Sequence, residues 1–151
     1  MGFKNSLGYV LGQTARMIKG DMMTALKSND VNISFEQYAI MHILKTEEFP
    51  SQQNIARILN KDKSIILRHI DALIEKEYVT KVKWDADKRW KKLSLTKNGH
   101  EVMEKIGGIG EKVEQQLIKD IDIDSLKTAI AVLKKIQVNS NSDGCCELLK
   151  E

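Results

Sequence analysis

One short stretch of this chain departs from helical periodicity, and it limits the folds open to everything around it. In Thr80-Lys81-Val82-Lys83-Trp84, apolar and basic residues alternate with a period of two, as in a half-exposed strand. Leu93-Ser94-Leu95 alternates again after Asp85-Ala86-Asp87-Lys88, whose short carboxylates bond the backbone ahead of them and favour a turn. Two strands and a polar turn make a hairpin, which is marginal in water by itself and must lean on neighbouring helices. The 151 residues include one proline, Pro50, and 5% aromatics, which suits a mainly helical protein with short connections. With 42% hydrophobic and 30% charged residues the chain is too apolar for disorder. No stretch approaches the ~20 apolar residues of a membrane span, and no secretory signal opens the chain, so a cytoplasmic protein is expected.

The flanking segments carry apolar residues at helical spacing. Residues 6–27 place Leu7, Val10, Leu11, Met17, Ile18, Met22 and Leu26 along one helix, which Asn29-Asp30 ends. A second helix opens at Ser34, where Gln37 completes a capping box, and Phe35, Ala39, Ile43 and Leu44 give it an apolar face. Pro50 breaks the chain, and Ser51 caps a short third helix that turns Ile55, Ala56 and Leu59 inward. After Asn60-Lys61-Asp62 a fourth helix is predicted to about Glu77, with Ile66, Ile70, Leu73 and Ile74 on one side. Beyond the hairpin, Thr96 caps a long helix bearing Val102, Met103, Ile106, Ile109, Val113 and Leu117. Gly107, Gly108 and Gly110 fall inside it, and each costs about 1 kcal/mol relative to alanine. They mark a kink or a close helix crossing, or else simple local weakness. A last helix starts near Asp124 with Leu126, Ile130, Leu133 and Ile136, and from Asn139 on the tail is too polar to pack.

A short helix, a tight turn, a longer helix and a basic hairpin form a helix-turn-helix followed by a wing. Such a pair presents one helix to the major groove of DNA, where base edges are distinguishable, while the other braces it. The outward face of the fourth helix shows Lys63, Ser64, Leu67, Arg68 and Asp71, donors and one apolar group that suit base edges, thymine methyls included. A merely solvated helix face is the competing account. Charge distribution favours the nucleic-acid reading: residues 61–97 hold eleven basic and six acidic side chains, a net +5, leaving −2 for the remainder. Lys88, Arg89, Lys91 and Lys92 crowd a turn that needs no charge to fold.

The stretch Asp87-Lys88-Arg89-Trp90-Lys91-Lys92-Leu93-Ser94-Leu95-Thr96-Lys97-Asn98-Gly99 resembles the wing signature of the MarR family of bacterial regulators. That signature is an Asp-x-Arg turn, a basic strand, and Leu-Thr-x-x-Gly opening a long helix. Ile66-Leu67-Arg68-His69-Ile70-Asp71-Ala72-Leu73 is similar to the family's recognition helix, and Ser51-Gln52-Gln53-Asn54-Ile55-Ala56 to its brace helix. The resemblance implies a homodimer interleaved through the first, last and part of the long helix, bound to a palindromic operator. It places Arg89 in the minor groove with Asp87 holding it, and Arg68 on DNA or in support of the wing. Two positions depart from the pattern: Leu67 stands where relatives carry Thr or Ser, and Glu77 replaces the usual Gly before the first strand.

The expected molecule is thus a single domain over residues 1–151, mainly α with a small β-hairpin wing. A winged helix-turn-helix occupies about 34–96, dimerisation helices about 6–28 and 97–137, and a flexible tail 138–151. The DNA-contacting set is Ser51, Gln52, Gln53, Lys61, Lys63, Ser64, Leu67, Arg68, Asp87, Lys88, Arg89 and Lys91. The function expected is a transcriptional regulator, a repressor released by a small-molecule effector. A winged helix used only for protein contacts would not need so basic a wing. An enzyme is disfavoured by scattered histidines (His42, His69, His100) and by the lack of a phosphate loop, nucleophile elbow or metal-ligand pair, so no cofactor or metal is expected. The family's effectors, often small and aromatic or anionic, bind between the dimer helices and the reading head. There Arg16, Tyr38 and His42 are the polar groups on otherwise apolar helices; ordinary packing or exposure is the competing account of each. The first helix has no cysteine and the long helix has only His100, so the oxidant- and zinc-sensing modes of relatives are not expected. Cys145 and Cys146, adjacent in the tail, read as reduced thiols, with a redox or metal role as the competing account.

Overall fold

The computed structural model describes residues 2–47, 50–83 and 91–139, with Lys83 and Lys91 described through their backbone alone. After a 3-10 turn at Phe3–Asn5, the elements are α1 (Leu7–Ser28), α2 (Phe35–Thr46), α3 (Gln52–Ile58), α4 (Lys63–Glu75), β1 (Val79–Lys83), β2 (Lys91–Leu95), α5 (Lys97–Leu117) and α6 (Ile123–Asn139). The mainly helical architecture with one antiparallel hairpin is the one expected. Asp85, Asp87, Lys88 and Arg89 at the hairpin turn, and Cys145 and Cys146 in the tail, lie outside the described residues.

Helix ends follow local chemistry. At α2 both halves of the capping box form: Ser34 Oγ accepts from the Gln37 N–H at 3.1 Å, and Gln37 Oε1 accepts from the Ser34 N–H at 3.0 Å. Ser51 Oγ caps α3 by accepting from the Asn54 N–H at 3.1 Å. Thr96 Oγ1 caps α5 by accepting from the Gly99 N–H at 2.9 Å. The last helix begins slightly before Asp124. Asp122 Oδ2 accepts from the Ser125 N–H at 2.9 Å and makes the cap. It extends through Asn139, so helix reaches two residues into the stretch read as tail.

The buried core runs from Leu26, at the end of α1, to Ile109, halfway along α5, with Met22, Met23 and Val113 packed against it at half-buried positions. Ile40, Met41, Ile43 and Leu44 of α2 pack with Ile55 of α3, Ile66, Ile70 and Leu73 of α4, and Met103 and Ile106 of α5. On α2 the buried face therefore differs from the one read from sequence. Ile40 and Met41 are fully buried, whereas Phe35 is 42% exposed, lying under the Lys19 ammonium of α1 at 4.6 Å.

The hairpin differs in parity as well. Val79 pairs with Leu95 and Lys81 with Leu93, so Val79, Leu93 and Leu95 form its buried face. Val82 falls on the opposite face and is 46% exposed. Starting the strand at Thr80 concealed this, because Val79 sets which face turns inward. Among the glycines of α5, Gly107 and Gly108 have open space where a Cβ would stand, and a Cβ at Gly110 would lie 3.5 Å from Met22 Cε. The helix is continuous through all three, and only Gly110 faces α1.

Candidate nucleic-acid interface

Three local devices fix how α4 is presented. The first is the turn between α3 and α4. Asn60 takes a left-handed conformation (φ 48°), and the N–H groups of Asn60 and Lys61 bond back to the carbonyls of Arg57 and Ala56 at 3.1 and 3.0 Å. Asparagine tolerates this conformation better than most residues, so the chain reverses without glycine. Second, Gln52 Nε2 donates to the Lys63 carbonyl at 3.2 Å, pinning the first turn of α3 to the first turn of α4. Third, Ile66, Ile70 and Leu73 seal one side of α4 into the core. The other side is left outward: Lys63, Ser64, Leu67, Arg68 and Asp71 are all exposed, with Ser64, Arg68 and Asp71 aligned at i, i+4 and i+7.

The wing is tied to this helix. Lys81 Nζ on β1 sits 3.3 Å from Asp71 Oδ1 on α4, both well exposed, so the pair orients the strand more than it stabilises it. The far end of α4 is anchored through its C-cap residue: Lys76 Nζ donates to the Asn32 carbonyl at 2.5 Å and to Gln37 Oε1 at 3.3 Å. Between the two helices lies a cavity of ≈ 710 Å³ lined by Gln53, Arg57, Lys61, Asp62 and Lys63, among others. Cationic side chains thus border α4 on two sides.

Of the residues expected to contact DNA, Gln53, Lys61 and Lys63 line the cavity between α3 and α4, and Ser64, Leu67 and Arg68 are exposed on α4. Ser51 and Gln52 are half-buried and already engaged in the cap and the inter-helix bond. Lys91 opens β2 opposite Lys83. Asp87, Lys88 and Arg89 fall outside the described residues. Sequence reasoning missed three further candidates: Arg57, Lys81 and Ile65. Arg57 lies one turn beyond Gln53 on the outward face of α3, a spacing that would have found it. Ile65 was passed over although it stands out of phase with the buried stripe.

A second cluster joins α1 and α2. The Tyr38 and His42 rings lie 6.1 Å apart, and Phe35 and Tyr38 6.5 Å. Lys19 Nζ approaches Glu36 Oε1 at 3.6 Å. Hydrogen bonding from its own backbone N–H, helped by the Lys19 charge, holds the Glu36 carboxyl below the usual range. Tyr38 is half-buried and His42 exposed, so two of the three candidate effector residues meet here. Arg16 is exposed on α1. Cavities of ≈ 470 Å³ between α1 and α5 and ≈ 560 Å³ around residues 30–33 are lined by other residues. Among the described residues no group of three or more His, Cys, Asp or Glu is placed to hold a metal, and no helix is long and apolar enough to cross a membrane.

Comparison with known proteins converges on one family. Residues 33–91 match the sequence profile of the MarR family. The HTH-type transcriptional regulator YdgG of Bacillus subtilis (strain 168) is 30% identical over 106 residues, spanning 67% of this chain and 68% of YdgG. Two solved structures share the fold at lower identity. The repressor CouR bound to a 23-mer DNA duplex superposes with a TM-score of 0.79 at 19% identity, covering 89% of this chain and 94% of CouR. CouR from Rhodococcus jostii RHA1 is also known bound to p-coumaroyl-CoA. MarR from E. coli, in its apo form, gives a TM-score of 0.74 at 22% identity over 87% of this chain and 96% of MarR. With a matching profile from α2 to the start of β2, and a relative that shares two thirds of its length, the chain belongs to the MarR family of transcriptional regulators.

Proposed function

We propose that this regulator acts as a homodimeric repressor that binds a palindromic operator in double-stranded DNA and is released by a small-molecule effector. The exposed face of α4 carries the proposal: a helix sealed on one side by Ile66, Ile70 and Leu73 offers Lys63, Ser64, Leu67 and Arg68 on the other, beside a basic hairpin. A helix so mounted fits the major groove, and the lysines and arginines around it meet phosphate. The DNA-contacting set is the one expected, with Arg89 and Asp87 at the wing and Ser51, Gln52 and Gln53 at the brace. Residues 34–96 are the reading head, and residues 6–28 and 97–137 the pairing helices. Apolar side chains left exposed along α1 and α6, including Leu7, Val10, Met17, Ile123 and Ile130, support pairing of two chains. A regulator of this kind works in the bacterial cytoplasm, where the chromosome lies.

The effector is expected to be small and aromatic or anionic, by analogy with the p-coumaroyl-CoA held by CouR. Tyr38 and His42 on α2, and Arg16 on α1, are the groups proposed to meet it.

Binding to random duplex DNA across a salt series tests the core of the proposal. Log affinity falls steeply with log salt if cationic side chains displace counterions; a flat response points to a protein-contact module instead. On an operator selected from random duplexes, Arg89→Ala lowers affinity by about 1–3 kcal/mol without lowering thermal stability. Unchanged affinity would remove Arg89 from the wing contact.

A further inference from the structure

The recognition helix carries two large apolar side chains that stay partly exposed among the described residues, Ile65 at the cavity shared with Gln53 and Arg57 of α3 and Leu67 on the other flank of the outward face. Ile65 is 38% and Leu67 39% exposed, although the buried stripe of the same helix, Ile66, Ile70 and Leu73, is sealed to 1% or less. At 100° per residue, Leu67 flanks the polar stripe of Ser64, Arg68 and Asp71 on one side and Ile65 flanks it on the other. Both lie within the first five residues of α4, and the N-terminal part of a recognition helix is the part that reaches base edges. Lys63 on α4, and Lys61 and Arg57 beside it, supply the positive charge that draws this end of the helix to a polyanion.

An apolar group pressed against a base edge is usually a poor choice, because it strips water from donors and acceptors without replacing their bonds. The major groove offers one apolar feature, the C5-methyl of thymine. From this juxtaposition we infer that Ile65 and Leu67 are specificity-determining residues that read thymine methyls, one on each side of a polar contact centred on Ser64 and Arg68. The operator half-site then carries thymines at two positions that bracket the base pair met by Arg68. This inference rests on the DNA-binding function proposed above and names what the recognition helix selects.

The test uses the full-length protein and an operator obtained by selection from random duplexes. Each thymine of the half-site is replaced in turn by deoxyuridine, which removes the methyl and leaves every hydrogen-bonding group. Removing a methyl buried against Ile65 or Leu67 weakens binding about four-fold, the ratio expected for about 0.8 kcal/mol of lost apolar burial. Ile65→Ala and Leu67→Ala keep a helix-favouring residue at exposed positions, and each loses sensitivity to deoxyuridine at one thymine while keeping it at the other. Wild-type affinity that is indifferent to deoxyuridine at every position overturns the inference, as does a methyl effect that persists undiminished in both alanine variants. Absence of binding to any duplex would instead overturn the DNA-binding function itself.

Discussion

At the scale of single residues, the junction between hairpin and helices explains why a Leu-Thr-x-x-Gly run stands where it does. Thr96 Oγ1 accepts from the Gly99 N–H and donates to the Glu77 carbonyl at 2.6 Å, while the Thr96 N–H reaches the Tyr78 carbonyl at 3.0 Å. The chain passes so close here that a Cβ on Gly99 would lie 2.1 Å from the Tyr78 oxygen. Gly99→Ala is accordingly expected to lower stability by about 1–3 kcal/mol, because the obstruction is backbone and not a movable side chain. A denaturant midpoint indistinguishable from wild type would contradict that. Glu77 makes the opposite case. It departs from the family pattern in residue type but keeps the turn, adopting a left-handed φ of 59° as the Tyr78 N–H bonds back to the Leu73 carbonyl at 3.0 Å. A non-glycine residue there costs about 1–2 kcal/mol, partly offset by the unfolded-state freedom that glycine brings. Glu77→Gly should therefore raise stability by about 0.5–1 kcal/mol, read as a higher midpoint with an unchanged slope.

At the scale of elements, the hairpin and α5 behave as one piece. The side chain of Thr96 closes α5 and ties it to the end of α4 at the same time. Thr96→Val keeps the shape but removes both hydrogen bonds, and should cost about 1–2 kcal/mol. Amide exchange then rises first in the opening turn of α5 and at the residues joining α4 to β1; uniform change across the protein would argue against a local joint. Much of this was legible in sequence. Ser34, Ser51 and Thr96 each precede a helix by one residue, and capping is decided by neighbours in the chain. The buried face of α2 and the parity of the hairpin were not legible. Phe35 is apolar enough for a core yet rests beneath Lys19, and Val82 alternates correctly yet points outward, because the faces available depend on where α1, α4 and α5 lie.

At the scale of the whole molecule, the chain divides its apolar surface unevenly. The core ends at Ile109, while α6 buries no side chain and shows Ile123 at 58%, Ile130 at 45% and Val132 at 51% exposure. Leu7, Val10 and Met17 of α1 are exposed in the same way. A second copy is the partner expected to cover them, so wild-type protein should sediment as a dimer at micromolar concentration. Ile130→Glu, which buries an unpaired carboxylate in that contact, should shift it to monomer while leaving the helix content of each chain largely intact. A monomeric wild type would overturn the paired arrangement.

What the sequence determined by itself was the order of elements, their caps, the basic hairpin and the outward set on α4. All of these depend on periodicity and short-range hydrogen bonding, which neighbours along the chain decide. Only the tertiary structure decided which apolar residues count as core. Phe35, Ile40 and Met41 of α2, like Val79 and Val82 of the hairpin, are all apolar, and separating the exposed from the buried among them required knowing what packs against each element. The pinning of α4 by Gln52 and Lys76 was likewise invisible, since the partners of those side chains stand 11 residues away for Gln52, and 44 and 39 for Lys76. Long-range contacts of this kind arise from how helices cross, and no local pattern encodes the crossing.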